Sequence, residues 1–146
     1  DQTAHELLRK DRLVVIARNG NPLIRGGLTM ADYLAARHVL VSSRSEGPGI
    51  EDFELSRLGV QRNIRLRCQH YYAACRVVEN TDLLLTMPET YARLIAERAG
   101  ITLLSPPAEL PGIDVHLYWH KPYEKEPALI WFRRQLQAVA GSADSS

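Results

Sequence analysis

Hydrophobic and polar positions are most clearly patterned between residues 62 and 88, RNIRLRCQHYYAACRVVENTDLLLTMP. Ile64, Leu66 and Cys68 alternate with Arg65 and Arg67, which is the period of a strand. Gln69 and His70 interrupt it. Tyr72, Ala73, Cys75 and Arg76 then lead, with 77–79, into a short helix with a mostly apolar face. Asn80, Thr81 and Asp82 make a turn. Leu83, Leu84 and Leu85 form an apolar run suited to a strand buried on both faces, bounded by Thr86, Met87 and Pro88. The order is that of a βαβ unit. In an open α/β sheet ligands bind beyond the carboxyl ends of the strands. Those ends carry Gln69 and His70 in one case, and Thr86 to Pro88 in the other.

The flanking patterns extend this alternation. Residues 12–17, RLVVIA, are rich in β-branched side chains and predict a strand. Thr29 can cap a short helix over 30–36, with Asp32 completing a capping box. A strand over 38–41 runs into the polar, glycine-bearing loop SSRSEGPG. A helix over 50–58 follows, with Glu51 and Asp52 in its first turn and Gly59 as its stop. Beyond the central unit the pattern predicts a helix over 89–99, strands over 101–104 and 114–120, and a last helix over 127–139. Ala128, Trp131, Leu136 and Val139 should line part of that helix's buried face, with Trp131 as its anchor. Residues 141–146 read as a disordered tail. The alternation argues for an α/β fold with mainly parallel strands.

Composition narrows the function classes. The chain has 146 residues, 45% of them hydrophobic, with a formal net charge of +1. Its basic residues are scattered among acids, without the footprint of a nucleic-acid-binding surface. Arg62, Arg65 and Arg67 form a basic stripe that reads as a solvated or salt-bridged face. No run of 18 apolar residues crosses a membrane, and the start lacks the pattern of a signal peptide. A cytoplasmic location is expected, with Cys68 and Cys75 as reduced, buried residues. The chain opens on Asp1 and reads as a fragment of a longer protein.

Candidate chemistry is sparse. His116 and His120 lie four apart, but on a strand this separates them by roughly 13 Å, so no metal site is expected. No cofactor is expected either: the loop 42–49 lacks the Gly-Lys-Ser/Thr ending of a P-loop, and no G-x-G-x-x-G occurs. Ser42 or Ser45 could be combined with His70 and Asp82 as a triad, yet neither serine lies in a G-x-S-x-G elbow. No catalytic residue is assigned. Ser42 and Ser43 directly follow a strand and can aim hydroxyls and backbone N–H groups into a crevice.

Several stretches, in order, resemble the effector-binding domain of LysR-type transcriptional regulators. They are RLVVIARNGNPL, LTMADYLAARHVLVS, LSRLGVQRNIRL, CQHYYAACRVVENTDLLLTMPETYA and LPGIDVHLYWHKPYEKEPALIWFRRQL. The TDLLLTMP segment and the LYWH…EPALIWFR ending are similar to the branch that senses flavonoids and aromatic acids. The resemblance implies a type-2 periplasmic-binding-protein-like α/β fold of two Rossmann-like lobes with mainly parallel sheets, the first lobe incomplete. It implies a crossover from lobe one in 1–12, lobe two in 13–87, and a return to lobe one in 88–140. It also implies a small aromatic or carboxylate effector held by Ser42, Ser43, His70, Thr86 and Pro88, with Asp11 near the crossover. Tyr71 and Met87 would supply apolar walls. A homo-oligomer is implied: a dimer pairing through lobe two, where Ile50, Phe53 and Leu58 make an apolar stripe, and a tetramer when full length. Promoter DNA would be met only through a winged helix-turn-helix domain absent from this chain. The alternatives are a solute-binding protein for transport, which shares the fold, and a small α/β enzyme.

Overall fold

The structure is a computed structural model and describes residues 2–142. The described residues divide into two compact units, residues 12–111 and residues 2–11 with 112–142.

The larger unit is a five-stranded sheet in the order β4-β3-β5-β2-β6. The strands are β2 (Leu13–Arg18), β3 (Arg37–Val41), β4 (Asn63–Cys68), β5 (Leu84–Pro88) and β6 (Ile101–Leu104). β3 pairs in parallel with both β4 and β5, whereas β2 runs antiparallel to β5 and β6. The sheet is therefore mainly parallel, with one reversed strand. Four helices cover it: α1 (Met30–Ala35), α2 (Ile50–Arg57), α3 (Tyr71–Glu79) and α4 (Glu89–Ala96).

Strand alternation sorts the core into two layers. Val14, Ile16, Val39, Leu85 and Met87 face Ala74, Cys75 and Val78 of α3 and Ala92 of α4. Val15, Ala17 and Leu84 face Tyr33 of α1 and Leu55 of α2. The helix signals read from the sequence are in place. Thr29 caps α1 in a capping box with Asp32, and Gly59 after α2 takes a left-handed φ of 73° that a side chain would oppose. Both cysteines are free, Cys75 buried and Cys68 half-buried.

The smaller unit pairs β1 (Thr3–Asp11) antiparallel with β7 (Ile113–His120) as a two-stranded ribbon. The last helix, α5 (Pro127–Ser142), packs on β1. Its less exposed positions are Leu129, Ile130, Arg133, Leu136 and Ala140, so of the expected face only Leu136 is turned inward while Ala128, Trp131 and Val139 are exposed. Trp131 is 62% exposed and does not anchor the helix. A two-stranded ribbon covers only a narrow strip of a helix, and that strip is filled by Arg133 stacked on Trp119, 4.2 Å from guanidinium carbon to ring centroid.

The division of the chain also differs from the expected one. Residues 88–111 pack in the larger unit because β6 is hydrogen-bonded to β2. Gly141 and Ser142 extend α5; residues 143–146 of the expected tail lie outside the described residues.

Candidate functional site

The three parallel strands β3, β4 and β5 end at one edge of the sheet. Val41 pairs with Cys68, and the Ser42 amide continues the ladder by donating to the Cys68 carbonyl at 2.9 Å. Val39 pairs with Leu85, and carrying that register forward sets Ser42 level with Pro88. Ser42 is half-buried, and its hydroxyl accepts from the Arg44 amide at 3.1 Å. Ser43 is exposed. His70 caps the N-terminus of α3 with its carbonyl, which accepts from the Ala74 amide at 3.2 Å, and its imidazole is left exposed. Pro88 closes β5 as the N-cap of α4. The next residue ties that corner to the sheet: the Glu89 amide donates to the Arg12 carbonyl at 2.9 Å, and its carboxylate meets Arg12 and Arg93. Hydrogen bonds from Arg12 and Arg93 hold the Glu89 pKa down to about 2.

Thr86 is placed at this edge differently from the others. It is only 5% exposed, and its side chain turns to the α1/α2 layer, where Oγ1 lies 2.9 Å from the Tyr33 hydroxyl. Met87, expected as a wall, is fully buried in the α3/α4 layer because alternation points it there. Tyr71 packs edge-on against Tyr91. Asp11 belongs to the smaller unit, where its carboxylate meets Arg9 at 3.2 Å.

Behind Thr86 lies a buried polar network that the pattern of the chain did not reveal. The Arg62 side chain is fully buried. It donates to Glu51 at 2.6 Å, to both Asp52 oxygens at 2.6 and 3.1 Å, and, at a long 3.5 Å, to the Tyr33 hydroxyl. Asp52 also accepts from the Gly49 amide at 2.6 Å. A Cβ at Gly49 would stand 2.7 Å from Leu40 Cδ1 and 2.9 Å from Glu51 Oε2, so those two side-chain ends would have to shift to admit one. Burial alone would raise the Asp52 carboxyl, but the Arg62 hydrogen bonds and charge outweigh it and hold the pKa below the usual value. Burial raises the Tyr33 phenol, so it stays protonated at neutrality.

His38 supports the same cluster. Its ring packs edge-on to Tyr33 at 4.5 Å, and Nε2 lies 2.6 Å from the Tyr33 carbonyl. A carbonyl only accepts, so Nε2 carries the proton. Nδ1 is then a buried acceptor without a partner. Burial pushes the His38 pKa down to about 4, partly opposed by that hydrogen bond. The sequence held one signal of this network, the acidic pair Glu51 and Asp52 followed by a lone arginine at the foot of a strand. It was readable only as a helix-dipole preference and a solvated or salt-bridged stripe; Arg62 is salt-bridged, but buried rather than on a face.

The surface cavities of the larger unit include two that lie away from Ser42, His70 and Thr86. One, of about 450 Å³, is formed by α2 and β4 and includes Phe53, Val60, Ile64 and Arg67. The other, of about 480 Å³, lies between α3 and α4 and includes Tyr72, Tyr91, Leu94 and Arg98. Neither lining contains Ser42, His70 or Thr86.

Comparison with known proteins places this geometry. Residues 1–141 match the family described as the LysR substrate binding domain. The chain is 34% identical over 127 residues to the transcriptional activator NahR of Pseudomonas putida, covering 87% of this chain and 42% of NahR. It thus spans about two fifths of the length of the curated relatives it matches. A solved structure described as a probable transcriptional regulator from Pseudomonas aeruginosa superposes with a TM-score of 0.83 at 33% identity, over 94% of this chain and 45% of that one. The effector-binding domain of QuiR in complex with shikimate shares the fold alone, with a TM-score of 0.72 at 17% identity over 97% of this chain and 66% of its own. These relatives are regulators, which favours regulation over the transport alternative, and the chain belongs to the LysR substrate-binding domain family of transcriptional regulators.

Proposed function

We propose that this domain senses a small aromatic or carboxylate effector at the carboxyl ends of β3, β4 and β5. The observation that carries the reading is the shared edge itself. Ser42 and Ser43, His70 and Pro88 follow or close three adjacent parallel strands, with Thr86 two residues before the end of β5, at the place where open α/β sheets bind ligands. The groups suit an anion. Ser42 and Ser43 offer hydroxyls, α3 presents its N-terminus beside an exposed imidazole, and the backbone around them is tied down. Asp11 keeps its place as a residue near the crossover. The role is sensing rather than turnover, in the cytoplasm. Promoter DNA would be contacted only by a winged helix-turn-helix domain outside this chain.

Oligomerisation is the second part of the proposal. Ile50, Phe53 and Leu58 of α2 and its stop are 55–59% exposed, and Phe53 lines a surface cavity with Ile64 of β4, an apolar surface suited to a second copy. A dimer through this face, and a tetramer of the full-length protein, would let effector binding shift a population of assembly shapes. A strictly monomeric mass for the full-length protein at high micromolar concentration would contradict it.

The test of the sensing site is calorimetric titration of the full-length regulator with a panel of aromatic acids. His70→Ala should weaken the best binder by about 1–3 kcal/mol, the scale of a hydrogen bond to a charged group, with folding unchanged. Equal affinity in wild type and variant would remove His70 from the site.

A further inference from the structure

The groove between α3 and α4 lies away from the proposed sensing edge and has a polarity of its own. α3 starts just beyond the end of β4, and α4 just beyond the end of β5. Both strands run parallel to β3, so the two helices lie side by side and point the same way. The cavity between them, about 480 Å³, falls within the size range of small-molecule sites. Tyr72 and Tyr91 line it from the first turns of the two helices. Leu94 and Ile95 follow, and Glu79, Glu97 and Arg98 lie at or just past the last turns. The groove therefore has an aromatic end and a charged end. Tyr72 and Glu79 stand seven residues apart on α3, about 10 Å along the axis, a span that an aromatic amino acid fills. The Tyr91 ring is held in place by Tyr71, packed edge-on with centroids 5.9 Å apart.

Only part of the charge at that end is neutralised. Arg76 and Glu79, both in the lining, pair with each other one turn apart, and Glu79 Oε1 also accepts from the Gly100 amide at 3.2 Å. The Glu97 carboxylate and the Arg98 guanidinium make no ion pair and no side-chain hydrogen bond among the described residues. A simple carboxylate entering the groove would meet Arg98 and be repelled by Glu97, and a simple amine would meet the reverse. A molecule carrying both charges on one carbon satisfies both. The carboxyl-terminal ends of α3 and α4 lie at the same end of the groove and add negative partial charge that favours an ammonium group. We propose that the α3/α4 groove binds a zwitterionic α-amino acid with an aromatic side chain. Its carboxylate meets Arg98, its ammonium meets Glu97, and its ring covers Tyr72 and Leu94, which are 65% and 59% exposed. The proposal stands independently of the reading of the β3, β4 and β5 edge.

Calorimetric titration of the full-length regulator tests it with L-phenylalanine and three analogues: 3-phenylpropanoate, which lacks the ammonium, 2-phenylethylamine, which lacks the carboxylate, and L-alanine, which lacks the ring. Phenylalanine should bind about three- to ten-fold tighter than either single-charge analogue, the scale of one partly exposed charge pair, and alanine should not bind measurably. Arg98→Gln should bring phenylalanine down to the affinity of 2-phenylethylamine without weakening that amine. Glu97→Gln should bring it down to the affinity of 3-phenylpropanoate without weakening that acid. A merely structural role would weaken all ligands alike. Both side chains are exposed, so the variants should melt with wild type. The inference is overturned if phenylalanine binds no tighter than both analogues, if neither variant changes its affinity, or if no binding is detected at millimolar concentration. If His70→Ala abolishes phenylalanine binding while the groove variants keep it, the amino acid sits at the sensing edge, and the groove is overturned while that edge stands.

Discussion

The two faces of the five-stranded sheet are buried by different means. Under α3 and α4, aliphatic and sulfur-containing side chains fill the space: Met87 and Leu85 meet Cys75 and Val78, and the Cys75 thiol, its pKa pushed by burial up to about 11, rests 3.7 Å from the Met87 sulfur. Under α1 and α2 the same sheet buries Arg62, Glu51, His38 and Thr86, with Asp52 half-buried at the margin, beside Val15, Leu84 and Leu55. An apolar layer tolerates exchange of side chains of similar volume. A charged layer does not, because each group is stable only with its partners in place. The first face supplies cohesion. The second fixes the end of β5 and the start of α2 to one another, a connection that hydrophobic contact, being non-directional, cannot specify.

The largest expected effect comes from breaking the charged layer. Arg62→Met leaves Glu51 and Asp52 without their cation and should cost about 3–5 kcal/mol of unfolding free energy, read from urea denaturation. Met87→Leu on the other face, as control, should cost less than about 1.5 kcal/mol. Similar losses for the two variants would erase the distinction between the faces.

The next effect is a pH dependence. His38 titrates at about 4 when folded, against 6.5 as its ordinary value. The unfolded chain therefore binds a proton that the folded one does not between those values. The stability contributed by neutral His38 is complete above pH 6.5, falls as pH is lowered through 6.5 toward 4, and changes no further below that. The loss is on the order of 3 kcal/mol. His38→Gln should flatten this part of the profile relative to wild type. Parallel profiles would mean that His38 is not held neutral by its burial.

Much of the larger unit was legible because its signals are local. The α1 capping box, the αL stop at Gly59 and the alternation of β4 are set by near neighbours, and each holds in the structure. β1 was not legible. Glu6, Leu7, Leu8, Arg9 and Lys10 are good helix formers, and only pairing with β7 more than a hundred residues away makes them a strand. Trp131 misled for a related reason. Helical spacing identifies a stripe, but which stripe is covered depends on the ribbon beneath it. The candidate site was half legible. Ser42, His70 and Pro88 sit at strand ends as the pattern required. The neighbours of Thr86 did not follow from it, since Tyr33 and Arg62 are brought together across 29 residues by the packing of two helices on one face.

The central claim is that the edge formed by β3, β4 and β5 is the sensing site. A crystal structure of the full-length regulator with its tightest-binding aromatic acid tests it directly. The account predicts the acid's carboxylate within hydrogen-bond distance of the Ser42 hydroxyl or the His70 imidazole, at the carboxyl ends of β3 and β4. Density for the acid in the groove between α3 and α4, with this edge empty, would contradict it.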